Sequence, residues 1–205
     1  MKYYLSTTVF KNTWEQVTGA FWQKYPNPSS KHVLSEDTTS RRIEDNKLIS
    51  TRILSKTNRM PRWGNYVFGS NARYVYVVEE TIVDPVNKIF TSYTRNIGYT
   101  KFMVVEEKCI YKTSPENKDW TVVEKHAWIN SNLFGVSRAL RAFGLERYKA
   151  NITKSNRGFQ YVLDQLYPTL TEKSNADILP TEMTKMKNNA KTKAANMAAK
   201  AGICQ

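Results

Sequence analysis

Between residues 73 and 130 the chain reads as four strand-length segments in direct succession, with only turns between them. RYVYVVEETIVD (73–84) and KIFTSYTRNI (88–97) flank a turn at Asp84-Pro85-Val86-Asn87. FMVVEEKCIYK (102–112) and DWTVVEKHAWIN (119–130) flank a polar SPENK turn. Gaps this short join antiparallel neighbours, because a parallel pair needs a crossover of about a dozen residues or more. Segments 32–43 and 47–57 predict a further hairpin turning at Asp45-Asn46, and KYYLSTTVF (2–10) predicts a strand from its β-branched and aromatic content. Two helical patterns bracket this run. Trp14, Val17, Phe21 and Tyr25 recur at helical spacing after a capping Asn12 or Thr13, with Pro26 and Pro28 as the stop. A longer pattern runs from about Asn132 to Tyr167 and ends at Pro168. Consecutive strands without crossover helices make the chain α+β rather than α/β. The economical packing is a curved antiparallel sheet of about seven strands gripping the long C-terminal helix, with room for a cavity between them.

Composition narrows the partners. The formal net charge is +13, which favours nucleic acid, an anionic membrane or an anionic ligand. Twelve Tyr, eight Phe and five Trp argue against general disorder. The two cysteines, Cys109 and Cys204, lie far apart with no metal-ligand spacing and read as free thiols. No apolar run reaches the roughly 20 residues that span a bilayer. The start, Met1-Lys2-Tyr3-Tyr4-Leu5, is not patterned as a signal peptide, since Ser6, Thr7 and Thr8 interrupt it. Residues 169–205 differ from the rest: Lys, Ala, Asn and Met dominate, and six Lys against three acids leave +10 on residues 1–168. Their composition fits a solvated tail better than a membrane-lying helix, although Met183, Met186, Ala190, Met197 and Ala201 fall near helical spacing.

Catalytic patterns are weak. His32 and His126 are the only histidines, and neither has a Cys nearby or a Ser in a nucleophile elbow. His126 alternates with Trp120, Val122, Glu124 and Trp128, as a sheet histidine does. Glu79-Glu80 and Glu106-Glu107 are strand neighbours whose side chains point to opposite faces, so neither pair is a dyad. No phosphate-cradling glycine loop is present, and no catalytic residue, metal or cofactor is expected. The cations are scattered, with no recognition-helix or RNA-binding signature, so no nucleic-acid partner is expected; a basic nucleic-acid-binding domain is the competing class.

The long helix carries the more informative pattern. Leu133, Val136, Leu140, Phe143 and Gly144 make an apolar or small face, and the same face continues into Arg147, Asn151 and Lys154. A second stripe holds Tyr148, Ile152, Phe159, Val162 and Leu166. Charges bordering an inward face need a partner, which an anionic headgroup supplies. Periodicity fits equally a rotated helix with these residues in water. On segment 47–57, Leu48, Ser50, Arg52, Leu54 and Lys56 share one face by alternation, so Arg52 and Lys56 point into the same interior or into solvent.

Six stretches together decide between these readings: FWQKYPNPSSKHVLSED (21–37), TRILSKTNRMPRW (51–63), VYVVEETIVDP (75–85), MVVEEKCIY (103–111), SNLFGVSRA (131–139) and GLERYKANITKSNRGFQYVL (144–163). In this order they resemble the PRELI/MSF1 family over nearly all of residues 1–168, and most resemble its animal members that carry phosphatidic acid. The resemblance implies a START-like, helix-grip lipid-transfer domain over 1–168 with a Lys/Ala-rich tail at 169–205. It implies shuttling of phosphatidic acid from the outer to the inner mitochondrial membrane across the intermembrane space, in support of cardiolipin synthesis. Phosphatidylserine is the alternative cargo, because close relatives differ on it. The phospholipid is cargo, not a cofactor, and no reaction is implied. A small helical partner with twin Cx9C motifs and transient, peripheral contact with anionic mitochondrial membranes are also implied. The family's lipid-binding positions fall at Lys24, His32, Arg52, Lys56, Arg147, Asn151 and Lys154. Lys24 stands where familiar relatives have Arg, and Arg147 where the yeast relative has Lys, so charge is kept while donor geometry changes. The flexible lid falls on Met60–Gly69, with Met60, Pro61, Trp63, Tyr66 and Phe68.

Overall fold

A computed structural model describes residues 1–57 and 74–168. The described elements follow the predicted order. They are β1 (Lys2–Phe10), α1 (Trp14–Phe21), β2 (Val33–Glu44), β3 (Lys47–Thr57), β4 (Tyr74–Asp84), β5 (Ile89–Asn96), β6 (Val104–Thr113), β7 (Thr121–Asn130) and α2 (Ser137–Leu166). The seven strands form one curved antiparallel sheet in the order β1-β7-β6-β5-β4-β3-β2. β1 therefore pairs with the last strand, from Lys2 opposite Ile129 to Phe10 opposite Thr121. Met1–Leu163 make one compact unit; Asp164–Gln205 group as a second, of which only the first few residues are described.

Local chemistry explains most boundaries. Asp45 and Asn46 both take positive φ, 46° and 60°, which suits the two-residue turn that matches the twist of a hairpin. Thr13 caps α1 with a capping box: its hydroxyl accepts from Gln16 N at 3.3 Å, and Gln16 Oε1 accepts from Thr13 N at 3.1 Å. The helix ends at Phe21, so Tyr25 lies outside it, contrary to the sequence expectation. Pro26 is not the stop. The chain turns earlier, and the Asn27 side chain holds the following segment by donating to Lys24 O at 2.7 Å and accepting from Ser29 N at 3.0 Å.

The long helix also starts later than its pattern suggests. Gly135 takes φ 79°, which breaks helical geometry, and α2 begins at Ser137. Leu133 and Val136 are therefore off the helix, and Val136 is exposed. The buried side of α2 is Leu140, Gly144, Gly158, Phe159, Val162 and Leu163. Two glycines set its approach to the rest of the domain. A Cβ at Gly144 would collide with Met103 and Ile129, and one at Gly158 with the Asn27 side chain. One end of the sheet's inner face is filled with aromatics: Phe21 packs edge-on to Phe90 at 4.6 Å, Phe90 stacks on Tyr111 at 4.8 Å, and Phe10 meets Phe159 of α2 at 5.3 Å. The expected lid residues and the 169–205 tail lie outside the described residues.

Candidate ligand-binding site

Alternation on β3 places Ser50, Arg52 and Leu54 on the inner face, where all three are buried; Lys56, two residues further along the same face, is half-buried. Register then sets Arg52 opposite Glu79 of β4. Glu79 accepts from Arg52 Nε at 3.0 Å and also from Nη2, while Arg52 Nη1 donates to Glu36 of β2 at 3.0 Å. The Phe21 and Trp22 rings cover the guanidinium at 5.0 and 5.1 Å. Arg52 is thus held in a closed ion-pair triad beneath α1. Burial pushes the Glu36 carboxyl up, and the attraction of Arg52 only partly offsets this.

The same polar belt continues across the sheet. Lys24, in the turn after α1, lies 5.3 Å from the rings of Phe21 and Tyr25. Burial disfavours its charge, yet Tyr25, Glu79 and Glu107 outweigh that penalty and hold its pKa above the ordinary lysine range. Glu107 of β6 is likewise opposed by burial, but Lys125, the Tyr148 hydroxyl that donates to it, and Lys24 hold its carboxyl below the ordinary range. Lys125 of β7 is buried and donates to Asn156 of α2, whose amide donates to Thr8 of β1 at 2.9 Å. Cys109 sits among these groups as a free thiol, and burial pushes its pKa well up, so it stays protonated and inert. Three cations, Arg52, Lys24 and Lys125, here meet three carboxylates, Glu36, Glu79 and Glu107.

A second group is built differently. Thr57 N donates to His32 O at 2.7 Å, which fixes His32 at the end of β3. Partial burial and then three cations, Lys56, Arg147 and Lys154, press the His32 imidazole below the ordinary histidine range. Among the described residues, the charged neighbours that act on this imidazole are all positive. Arg147 is half-buried, and burial lowers its own pKa; Lys154 is exposed. Asn151 is exposed on α2 between them, one helical turn from Arg147. Among the seven candidate positions, His32, Lys56, Arg147 and Lys154 therefore come together, whereas Arg52 and Lys24 belong to the compensated belt. The sequence reading missed Glu79, Glu107, Lys125 and Tyr148 as interior partners, although period-two alternation with Thr121, Val123, Ala127 and Ile129 already placed Lys125 inward.

A curved seven-stranded antiparallel sheet gripping a C-terminal helix defines the helix-grip class of domain. A solved structure from Thermus thermophilus has this fold, with TM-score 0.57 and 13% identity over 81% of this chain and 99% of that one. The chain belongs to the PRELI-like family, whose sequence profile matches residues 15–169. It is 54% identical over 167 residues to PRELI domain-containing protein 1, mitochondrial, of Gallus gallus, covering 80% of this chain and 78% of that protein. The human protein of the same name is 51% identical over 168 residues, 81% of this chain and 77% of that one. The mitochondrial UPS1 protein of Saccharomyces cerevisiae is 31% identical over 163 residues, 78% of this chain and 92% of that one.

Proposed function

We propose that this protein is a phospholipid carrier of the mitochondrial intermembrane space that takes phosphatidic acid from the outer to the inner membrane, where it supports cardiolipin synthesis. The observation that carries the reading is the convergence of Lys56, Arg147 and Lys154 on His32, whose imidazole all three act on. Phosphate accepts charge-assisted hydrogen bonds from several converging donors at once. Next to the polar belt the sheet carries Leu54, Val77, Val105 and Ile129, with Asn96 between Val77 and Val105, and these apolar side chains suit acyl chains. The protein acts as a carrier rather than an enzyme, and the lipid leaves chemically unchanged. The mitochondrial names of its relatives support the location. A small helical partner with twin Cx9C motifs completes the proposal, since the family resemblance carries it.

The test is liposome-to-liposome transfer by the purified full-length protein, with its partner where one co-purifies, using phosphatidic acid, phosphatidylserine and phosphatidylcholine as cargo. Preferential movement of intact phosphatidic acid is expected. Preference for phosphatidylserine would replace the cargo but keep the class. Equal transfer of neutral phosphatidylcholine, or recovery of a converted product, would overturn the reading.

A further inference from the structure

The end of the sheet that holds His32 and Lys56 also carries two short connections whose surfaces match each other. The β5–β6 connection exposes Ile97, and the β7–α2 connection exposes Phe134 and Val136. Phe134 is 101% exposed, so it contributes nothing to the core. The two connections are neighbours: Val104 pairs with Asn130 where the strands end, and Met103 packs against Gly144 and so beneath the first turns of α2. Residues 96–103 and 130–141 contain Lys101, Arg138 and Arg141 and no acidic residue at all. Arg138 lies in the first turn of α2, which has no acidic residue there. A cation at that position opposes the helix dipole, so the helix itself gains nothing from it.

Single exposed apolar residues are ordinary on protein surfaces. Here three of them stand on two adjacent connections whose charged residues are all basic, and the tip is a fully exposed aromatic. That combination suits the boundary of an anionic bilayer, where aromatic rings sit at headgroup level and cations meet lipid phosphates. We propose that the Phe134-Gly135-Val136 tip, with Ile97 beside it and Lys101, Arg138 and Arg141 around it, is a docking surface for anionic bilayers. Gly135 takes φ 79°, which turns the chain sharply behind Phe134 and presents the ring at the apex. Docking by this end brings headgroups to the side of the molecule that holds Lys56 and His32. The inference rests on the carrier reading but concerns the surface that meets the membrane, not the site that holds the cargo.

The experiment uses the full chain and two probes. Flotation with phosphatidylcholine vesicles doped with phosphatidylglycerol reads docking to an anionic surface. Uptake of a short-chain, water-soluble phosphatidic acid reads cargo binding without any bilayer. Phe134→Ala is expected to lower the vesicle-bound fraction about tenfold, from the lost burial of one aromatic side chain, with short-chain uptake unchanged. Phe134→Trp is expected to keep binding and to shift its indole emission to the blue when vesicles are added. Arg138→Ala with Arg141→Ala is expected to weaken docking, and the docking that remains is expected to fall less steeply with salt than in the parent. Unchanged flotation by Phe134→Ala, or a tryptophan at 134 whose emission ignores the vesicles, would overturn the docking surface while leaving the carrier reading intact. Failure of the parent protein to take up short-chain phosphatidic acid would instead remove the carrier reading.

Discussion

Arg52, Lys24 and Lys125 lie among Glu36, Glu79 and Glu107, whereas Lys56, Arg147 and Lys154 converge on the imidazole of His32. Both groups contain positions that the family resemblance implies bind lipid, but the first is built on buried Arg52, Glu79 and Lys125 while the second runs from half-buried Lys56 and Arg147 to exposed Lys154. In the first, Arg52 is ion-paired to Glu36 and Glu79, and Lys24 and Lys125 lie in the field of Glu107. Taking such charges out of water is unfavourable, and mutual attraction with good hydrogen bonding offsets that. In the second group the charges of the described residues that act on the histidine are all positive, and they disfavour its protonation. The contrast separates two jobs that a list of basic residues merges: holding β2, β3 and β4 together beneath α1, and receiving a ligand.

Breaking the first group should have the largest effect. Glu79→Gln leaves the buried Arg52 guanidinium with Glu36 alone, and loss of one partner from a buried pair costs about 3–5 kcal/mol. Denaturant unfolding of the lipid-free protein should show that loss as a lower midpoint. Replacing the whole triad with apolar residues, Arg52→Met with Glu79→Leu and Glu36→Leu, should restore part of the stability, because the Arg52 charge goes with its partners while Lys24 keeps Glu107. Lipid uptake should survive in the triple variant. A Glu79→Gln protein of unchanged stability that no longer takes up phosphatidic acid would move Arg52 into the ligand site and dissolve the contrast.

The basic cluster should behave in the opposite way. Lys56→Ala and Arg147→Ala each remove a charged donor worth roughly 1.5–3 kcal/mol, so each should weaken lipid binding about tenfold or more. For Lys56→Ala, lipid-free stability should hold within about 0.5 kcal/mol or rise slightly, since a cation acting on His32 has been taken away. Titration with short-chain phosphatidic acid beside thermal melting measures both quantities on one sample. Lost stability together with lost binding would mean that these cations hold the fold, as Arg52 does.

Much of this arrangement was legible in the residues. Period-two alternation put Arg52 and Lys56 on one face of β3, and it separated Glu79 from Glu80 and Glu107 from Glu106: Glu79 is buried and Glu80 exposed, while Glu106 accepts from Tyr93 and Glu107 from Tyr148. Asp45-Asn46 named its own hairpin. What could not be read was which of the inward cations were already partnered. Arg52 and Glu36 are 16 residues apart, and Arg52 and Glu79 are 27 apart; their meeting depends on register between strands, which alternation within one strand does not specify. The helix limits failed for a related reason. Spacing continues smoothly through Leu133 and Val136, but Gly135 leaves helical geometry, and a period contains no information about one residue's φ. Arg147, Asn151 and Lys154 shared a face on paper, yet Arg147 is half-buried while the other two are exposed, because the buried stripe of α2 moves on to Gly158, Phe159 and Val162.

The smallest effect expected is a pH dependence from His32. Partial burial and the three cations hold its folded-state pKa below the ordinary value, so the unfolded chain takes up a proton more readily there. Lipid-free stability should therefore fall slightly as pH drops through the ordinary histidine pKa of about 6.5. An anion among Lys56, Arg147 and Lys154 cancels part of their field and raises the imidazole pKa. Binding then takes up a proton, and by linkage affinity must rise as pH falls through the same range. One unit of restored pKa corresponds to a tenfold change in affinity at most, about 1.4 kcal/mol. Phosphate monoesters also titrate near pH 6, and their extra charge at higher pH works in the other direction. The informative quantity is thus the difference between two slopes: affinity for short-chain phosphatidic acid against pH in the parent protein and in His32→Asn. The variant keeps a polar side chain that does not titrate, so the phosphate contribution is common to both. The parent should gain affinity relative to the variant as pH falls, and the two should converge above the histidine range. Parallel slopes would show that the anion sits beyond the reach of His32, and would confine the receiving site to the α2 cations and Lys56.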